Sequence, residues 1–505
     1  MAQSDPCHLL DNDIFDVRRL LNLASSQDRF AYAPAALTRL AAERTVVDAY
    51  LSAGEPVYGL NTGLGGNLGY RLADSEVVAY QRQIIRGRMI GMGEPLPALV
   101  VRAALLARCI SLGKGGSGVS PGAAQALLAL LDRGVTPLVP CHGSIGAGDL
   151  GLCAHMVAPV IGEGEALFGG QRLTGAQALE AAGLSVVALQ AKDGLGLINA
   201  SPLAAGYGAV VLCRAADTLL VAAAGAALAD EGYAANLTIF DRRIAAARPA
   251  PGQVDAAARF RSLLQGSSLY DDRPRSIQDA ISFRTMAQLF GSAWAALASV
   301  TDAVEAEING TADSPLVLAG EGEMLSSPNF QTPGIALGFD SMAIAVTHLA
   351  SASVQRIIKL QTPHLSGLPK YLSPVGGASV GFNAMQKTAA ALYAAIRLQA
   401  APASLDAVVV SDTVEDHGTQ ALLAIRKLEQ QFELFEHLLA IEVMVAAQAV
   451  DLRGAARLGR GTQLVYDAAR AVVPALAADR PPGVDAMRIG AALAAPALAE
   501  ALRGL

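Results

Sequence analysis

A tyrosine in a glycine-rich segment is the first residue of this chain whose setting could support chemistry. Tyr58 precedes Gly59, Asn61, Thr62 and Gly63. A phenol in such a loop can act as a general base when its surroundings lower its pKa from about 10. The more frequent alternative is an aromatic side chain that anchors the edge of a loop.

Arg284 is the second candidate, because it stands at the start of an apolar segment with helical periodicity. It follows Gln278, Asp279 and Ser282. A guanidinium in a largely apolar helical setting suggests bidentate binding of a carboxylate. A buried structural pair with Asp279 or Glu307 is the alternative that the sequence leaves open.

Glycines at positions 143, 146, 148 and 151 surround Asp149 in the segment 141–152. Glycine adopts backbone conformations that are closed to other residues. One interpretation is an anion-binding turn at the N-terminus of a helix. The Lys-Ser or Lys-Thr pair of a phosphate-binding loop does not follow, so a plain tight turn remains the alternative.

Glu415, Asp416 and His417 form an acidic and imidazole cluster ahead of a helix, where capping is the structural alternative. The seven histidines are dispersed, and neither an HExxH pattern nor paired cysteines occur. The sequence therefore predicts no metal site.

The elements that must position these residues change in character near residue 203. Glycine clusters between short apolar runs predict a loop-rich, α-rich N-terminal domain over residues 1–202. Beyond that point the chain is rich in Ala and Leu with helical periodicity. We therefore predict a mostly α fold with a long-helix bundle over residues 203–505. The clearest predicted helices are 208–230, 284–308, 335–360, 380–400 and 417–450.

The composition of the 505 residues excludes several functions. With 38 basic and 45 acidic side chains the net charge is −7, which argues against a nucleic-acid partner. Since 52% of residues are hydrophobic and only 16% charged, disorder is excluded for most of the chain. The longest apolar stretches fall short of the roughly 20 residues of a membrane span. No signal peptide is visible and five cysteines are scattered, so we expect a cytoplasmic protein.

Eight segments, in order and over nearly the whole chain, resemble the histidine, phenylalanine and tyrosine ammonia-lyase family. Each segment alone is a weak signal, but eight in the family's order are specific. They are the tyrosine loop from Tyr58, the prosthetic-group loop from Thr136 to Leu150, the stretch 161–166, the asparagine motif ending at Asn199, the arginine motif 278–284, the signature 307–316, Asn329–Gln331 and Glu415–His417.

The resemblance implies a mostly helical homotetramer whose active sites are shared between subunits. It also implies elimination of ammonia from an α-amino acid to give an α,β-unsaturated acid. Family enzymes use an electrophile, methylidene-imidazolone, which forms by cyclisation of an internal Ala-Ser-Gly. By the same resemblance Tyr58 is the base and Arg284 binds the substrate carboxylate.

The resemblance assigns roles to further residues. Asn199 matches the residue that steadies the prosthetic group or the carboxylate, while Gln331 and Glu415 would line the amine and side-chain pocket. Ala147 and Gly148 occupy the catalytic loop. The remaining expected substrate-binding residues are Asn61, Arg88, Ser144, Asn329 and Phe330.

The chain departs from the family at the prosthetic-group loop. It reads Gly146-Ala147-Gly148-Asp149, one residue shorter than Gly-Ala-Ser-Gly-Asp, and the missing residue is the serine that supplies the methylidene carbon. Ser144 is nearby, but Ile145 rather than glycine follows it and should obstruct the same cyclisation. The sequence therefore predicts that methylidene-imidazolone does not form.

Two further departures concern the substrate. Ile281 stands where the family usually has a tyrosine, and Arg88 stands where a side-chain-selecting histidine is common. An unpaired buried cation is costly, so Arg88 predicts a polar or anionic substrate side chain rather than phenylalanine or histidine. The alternative is that Arg88 pairs with Glu415, in which case shape sets the selectivity.

Three functions remain open from the sequence. The leading one is a carbon–nitrogen lyase acting on an amino acid or a close analogue, with a more acidic β-proton or a better leaving group in place of the electrophile. The second is a catalytically silent homologue that binds a small carboxylate. The third is an aminomutase. Retention of Tyr58, Asn199, Arg284 and Glu415 favours an enzyme, since a scaffold has no need of all four.

Overall fold

The computed structural model describes residues 7–67, 69–405, 408–454 and 457–505. The chain separates into two compact units, and each is assembled from three stretches. The first unit holds Met1–Cys213, Val300–Phe339 and Pro402–Ile425, and the second holds Arg214–Ser299, Asp340–Ala401 and Arg426–Leu505. The predicted division is a single cut after residue 202. Four of the five observed boundaries fall inside long helices. Local composition does not mark a boundary within a helix.

Helices dominate the described chain, which confirms the mostly α fold predicted from the sequence. The five helices predicted from Ala/Leu periodicity are present as α9, α13, α14, α16 and α17 below. In chain order the helices are α1 Val17–Ser25, α2 Pro34–Ala53, α3 Val77–Gly87, α4 Ala98–Lys114, α5 Pro121–Asp132, α6 Leu150–Val157, α7 Gly175–Ala181, α8 Asp193–Ile198, α9 Pro202–Tyr233, α10 Arg242–Ala247, α11 Gln253–Leu263, α12 Ile281–Arg284, α13 Met286–Asn309, α14 Pro333–Leu360, α15 Pro363–Ser366, α16 Met385–Gln399, α17 Ala421–Arg453, α18 Arg460–Val472, α19 Pro482–Leu493 and α20 Pro496–Arg503.

The strands are short, and within the described ranges all of them belong to the first unit. They are β1 Cys7–Leu10, β2 Arg29–Tyr32, β3 Met92–Pro95, β4 Thr136–Pro137, β5 Pro140–His142, β6 Glu165–Phe168, β7 Gln171–Thr174, β8 Leu316–Leu318 and β9 Glu323–Leu325. β1 pairs with β2 in parallel, whereas β3–β5, β4–β6–β7 and β8–β9 are antiparallel. These small sheets hold the ends of the glycine-rich loops.

A buried ion pair anchors the core of the first unit. Helix α4 is apolar on nearly all sides and is buried along most of its length, yet it carries Arg108, which is fully buried. The Arg108 guanidinium donates to the carbonyl oxygen of Leu197 at 3.2 Å and pairs with the Asp313 carboxylate at 3.1 Å. Arg108 therefore ties α4 to α8 and to the segment that follows α13. Removing one partner of such a pair typically costs about 3–5 kcal/mol.

The second unit has its own buried pair. Arg356 of α14 binds the Glu442 carboxylate of α17, with Nη2 at 3.1 Å from Oε2. The same guanidinium donates through Nη1 to the carbonyl oxygen of Ser282 at 3.1 Å. Because Ser282 lies in α12, this one arginine fixes the short helix that carries Arg284.

Among the described residues, two helical stretches are apolar and long enough to cross a membrane by length and composition alone, Asp193–Tyr233 and Pro333–Leu360. Of their most apolar windows, 78% and 56% of residues are buried inside the protein. Helices that pack in a protein core have the same composition, so the two stretches are weak evidence for a membrane span.

Candidate active site

The loop that carries Tyr58 packs tightly on α8. Gly59 has a φ of +67°, and a Cβ at this position would lie 2.1 Å from Leu195 of α8, so only glycine fits. The buried Asn61 side chain accepts from the Val57 amide and donates to the Glu55 carbonyl, both at 2.8 Å. The structure thus places Asn61 in the hydrogen bonding that shapes the loop, while the Tyr58 side chain is 37% exposed.

A second phenol, Tyr80, interacts electrostatically with both Tyr58 and Arg88. Two consecutive loop amides donate hydrogen bonds to the two phenols. The Gly65 amide donates to the Tyr58 hydroxyl at 3.2 Å, and the Leu64 amide donates to the Tyr80 hydroxyl. Burial raises the pKa of Tyr80; the positive charge of Arg88 opposes that shift and the nearby Tyr58 adds to it. The structure therefore brings Tyr58 and the half-buried Arg88 to one side of α3. Sequence reasoning missed Tyr80, whose signal is its spacing of two helical turns from Arg88.

The prosthetic-group loop is a tight turn built on two glycines. Gly146 and Gly148 have φ values of +80° and +68° and form a bridge with each other. The Ser144 hydroxyl accepts from the Gly146 amide and donates to Oδ1 of Asp149, each at 3.0 Å. The amide of Asp149 in turn donates to the carbonyl of Ala200 at 2.9 Å, next to the asparagine motif.

The residues of this loop do not fit methylidene-imidazolone. That group forms when the middle residue of a tripeptide loses its side-chain hydroxyl and the third residue's amide nitrogen attacks the first residue's carbonyl carbon. From Ile145 to Gly148 no residue carries a hydroxyl. The Gly148 amide is bonded to the Phe330 carbonyl at 3.0 Å, and the Ser144 hydroxyl is engaged by Asp149.

Two buried carboxyls lie beneath the loop, and burial is the main cause of both pKa shifts. Burial raises the pKa of Asp149 to about 6, although the Ala204 amide and the Ser144 hydroxyl favour its ionised form. Burial raises the pKa of Glu307 of α13 to about 7, and the negative charge of Asp149 adds to the shift. Glu307 accepts from the Ser201 amide at 3.3 Å. Glu307 belongs to a recognised signature, but its sequence gave no reason to assign it to the site.

Asn199 ends α8 and is buried. Its amide nitrogen donates to the Ser314 carbonyl at 2.8 Å, so one of its polar groups is committed to the protein. The preceding Lys192, in a left-handed conformation with φ of +71°, is also fully buried, and burial lowers its pKa. Together with Arg108, these contacts fix the position of the asparagine motif.

The segments 329–331 and 415–419 close around the shortened loop. Gln331 pairs with Ala147 in a bridge, and its amide nitrogen donates to the His417 carbonyl at 3.1 Å. The Thr419 hydroxyl donates to the Gly146 carbonyl at 2.9 Å. Asn329 lies at the rim, where its side chain donates to the Thr311 carbonyl at 3.4 Å.

Glu415 sits in an exposed turn that adjoins the tyrosine loop. Its backbone forms a two-way bridge with Val410, at 3.0 and 3.3 Å, and its side chain is exposed. In the same turn the Asp412 carboxylate lies against Gly66, close enough that a Cβ there would be 2.8 Å from Oδ2. Within the described part of the first unit no ion pair joins Glu415 to Arg88, so the paired alternative receives no support.

Arg284 belongs to the second unit, whereas the other predicted site residues belong to the first unit. It ends α12, is half-buried, and donates from Nη1 to the side-chain oxygen of Gln278. Among the residues that the structure describes, its recorded partner is this neutral amide and not Asp279, whose Oδ2 accepts from the Asn236 amide at 2.6 Å. Ile281 is 65% exposed at the start of the same helix.

No group of three or more His, Cys, Asp or Glu residues in the described ranges is arranged to hold a metal ion. The candidate groups of the first unit include the phenols of Tyr58 and Tyr80, the carboxyls of Asp149 and Glu307, whose pKa values are raised, and several amides. Such a set can move protons and bind a small polar molecule.

Known proteins resemble this chain over most of its length. A family model described as aromatic amino acid lyase matches residues 15–471. The histidine ammonia-lyase of Anaeromyxobacter dehalogenans is 38% identical over 94% of this chain and 95% of its own length. That of Treponema denticola is 39% identical over 84% of each.

Solved structures of the same fold include enzymes with other substrates. The ergothioneine-degrading ergothionase of Treponema denticola, solved in complex with desmethyl-ergothioneine sulfonic acid, has a TM-score of 0.93 and 30% identity, covering 96% of this chain and 98% of its own. The tyrosine aminomutase of Streptomyces globisporus has a TM-score of 0.91 and 29% identity, covering 99% and 98%.

Fold, motifs and relatives together define a carbon–nitrogen lyase that eliminates ammonia from an α-amino acid or an analogue. The chain belongs to the aromatic amino acid lyase family. That family is known for methylidene-imidazolone formed from the protein's own residues.

Proposed function

We propose that this enzyme eliminates an amine from an α-amino acid or its N-methylated betaine without methylidene-imidazolone. The observation that carries the proposal is the loop from Ser144 to Asp149, in which no residue can supply the methylidene carbon by the family's route. The tyrosine, asparagine and arginine motifs of the family are kept in this chain. An enzyme that keeps its acid–base and binding groups but lacks its electrophile must take a substrate that reacts more readily.

The elimination requires loss of a β-proton and departure of the nitrogen. Tyr58 takes the β-proton, and Arg284 of the second unit binds the carboxylate, a charge-assisted pairing that suits the planar guanidinium. Arg88 and the Tyr80 hydroxyl face the substrate side chain and favour a second anionic or strongly polar group.

A quaternary nitrogen supplies the better leaving group. It departs as a neutral tertiary amine, whose loss needs no covalent activation of the nitrogen. Ergothioneine is such a betaine, with a trimethylammonium group and a sulfur-bearing imidazole. The ligand of the ergothionase complex carries a sulfonate in addition to its carboxylate. These two features match the leaving group and the anionic side chain that we propose for this chain.

We also propose that the protein is a cytoplasmic homotetramer with active sites shared between subunits. The support is the family resemblance. Light scattering of the purified protein measures the oligomeric state directly, and a monomer would contradict the shared site.

The intact mass of the purified protein tests the absence of the prosthetic group. We expect the mass of the unmodified chain, apart from removal of Met1, because the loop lacks the hydroxyl that dehydration requires. A mass lower by the water lost in cyclisation and dehydration would contradict the proposal. A family member with the complete Ala-Ser-Gly, measured in parallel, is the positive control.

A substrate panel with an Arg88 variant tests the chemistry. We expect wild-type turnover of a trimethylammonium betaine with a polar or anionic side chain, seen as absorbance of a conjugated acid, and little turnover of phenylalanine or histidine. Arg88→His should lower kcat/KM for the anionic substrate by roughly 10- to 150-fold, the value of one charge-assisted bond. The control is Arg86→His, since Arg86 lies on the same helix but binds Glu163 at 2.6 Å.

Three outcomes of the substrate panel would contradict the proposed function. Efficient turnover of phenylalanine that Arg88→His leaves unchanged would show that Arg88 does not face the substrate. A β-amino acid product would identify an aminomutase, the activity of the Streptomyces globisporus neighbour. Binding of a carboxylate without turnover of any panel member would identify a silent homologue.

A further inference from the structure

A cavity of about 470 Å³ opens beside the shortened loop, in the first unit. Its wall comes from the end of α13, the segment after it, and the start of α14. Gln331 is part of this wall and is also the residue that bridges to Ala147, so cavity and loop share a side. A volume of this size holds a small organic molecule with room for water.

The described part of the cavity wall offers acceptors and no cationic side chain. Among the described residues that line it, Glu307 is the only charged one, and none is Lys, Arg or His. Two further wall atoms, Oε1 of Gln331 and the hydroxyl oxygen of Thr332, are buried and have no hydrogen-bond partner within the described chain. Thr332 as a whole is 5% exposed. Buried polar atoms in native proteins are nearly always bonded, so unpartnered acceptors indicate a ligand that donates.

The charges that face Glu307 leave an excess of negative charge. Asp149, from the loop before α6, and Asp313, after α13, raise the pKa of Glu307, whereas Arg108 of α4 lowers it. Asp149, Asp313 and Glu307 are thus opposed by Arg108, which is already bound to Asp313, and by the buried Lys192, which interacts with Asp313. A cation in the cavity would restore the balance and would let Glu307 ionise.

We propose that this cavity binds a small protonated amine, with Glu307 as its counter-ion and Gln331 and Thr332 as acceptors. The choice of ligand rests on the proposed function, in which an amine is released. When the C–N bond breaks, the electron pair stays on nitrogen and gives a neutral amine. The proton of the Glu307 carboxyl then passes to that nitrogen, so that an ammonium–carboxylate pair remains in the cavity until the amine leaves.

Binding of free amines tests the cavity without any turnover. Isothermal titration calorimetry at constant ionic strength would compare methylammonium, trimethylammonium, tetramethylammonium and potassium chlorides as titrants. We expect both N–H-bearing cations to bind at least tenfold more tightly than tetramethylammonium or potassium. Glu307→Gln should weaken binding at least tenfold, while Asp302→Asn, which removes a charge from an exposed position of the same helix, should not.

The pH dependence gives a second readout. Since burial raises the pKa of Glu307 to about 7, amine binding stabilises the ionised form and lowers that pKa. Affinity should therefore rise about tenfold from pH 6 to pH 8, with release of about half a proton at pH 7. Titration in two buffers of different ionisation enthalpy measures this proton, and Glu307→Gln should abolish its release.

The outcomes separate this proposal from the proposed function. Equal binding of potassium and methylammonium would assign the cavity to an inorganic cation and overturn the proposal. So would unchanged amine affinity in Glu307→Gln. If Glu307→Gln fails to fold, Thr332→Val replaces it, with an expected two- to fivefold weaker binding. Amine binding by an enzyme that turns over no betaine would refute the proposed function but leave the cavity as an amine site.

Discussion

Tyr58→Phe is expected to lower kcat roughly 100- to 10,000-fold on any substrate that the enzyme accepts. This range is what general acid–base groups usually contribute. The reason is structural: the Tyr58 hydroxyl is partly exposed, accepts one amide bond from Gly65 at 3.2 Å, and is free to accept a proton from a bound molecule. Steady-state kinetics measures the effect, and KM should change little because the aromatic ring remains.

Two other tyrosines provide the comparison for this variant. Tyr70 lies in the same loop and is 60% exposed, so Tyr70→Phe should leave kcat unchanged. Tyr80→Phe should have an intermediate effect. The Tyr80 hydroxyl is bonded by the Leu64 amide, next to the Gly65 amide that bonds Tyr58. Full activity of Tyr58→Phe would remove the phenol from the mechanism and would favour another base, of which Glu307 is the first candidate.

The long helices could be predicted from the sequence because their signal is local. Ala and Leu recur with helical periodicity, and α9, α13, α14 and α17 appear close to the predicted limits. The division into units could not be predicted in the same way. Residues 300–339 and 402–425 join the first unit through contacts that are distant in sequence, and no change of composition marks these boundaries.

The site residues that lie within a family motif could be predicted from the sequence. Collinear resemblance assigned Gln331 to the substrate pocket and identified the loop at Ala147 that lacks serine, and the structure joins these two residues in a bridge. It could not assign Tyr80 or Glu307. Their importance arises from burial, neighbouring charges and a cavity, which are properties of the packed chain and not of any short segment.

Arg284→Ala is expected to weaken binding of a carboxylate ligand by about 2–5 kcal/mol, the usual cost of truncating one partner of a hydrogen-bonded charge pair. That is roughly 30- to 4,000-fold in Kd. In the second unit the Arg284 guanidinium is bonded to the neutral side chain of Gln278. None of the described residues of α12 offers a carboxylate to pair with it. Its charge therefore remains to be matched by a ligand.

The expected ranking of variants distinguishes a binding role from a structural one. Arg284→Lys should recover only part of the affinity, because an ammonium keeps the charge but lacks the planar fork. Gln278→Leu should weaken binding modestly, since it frees the guanidinium from the amide that orients it. The control is Arg242→Ala, an exposed arginine of the same unit. Affinity measured by calorimetry that is unchanged in Arg284→Ala, with a lowered Tm, would show instead that Arg284 supports α12, and the substrate carboxylate would then need another cation.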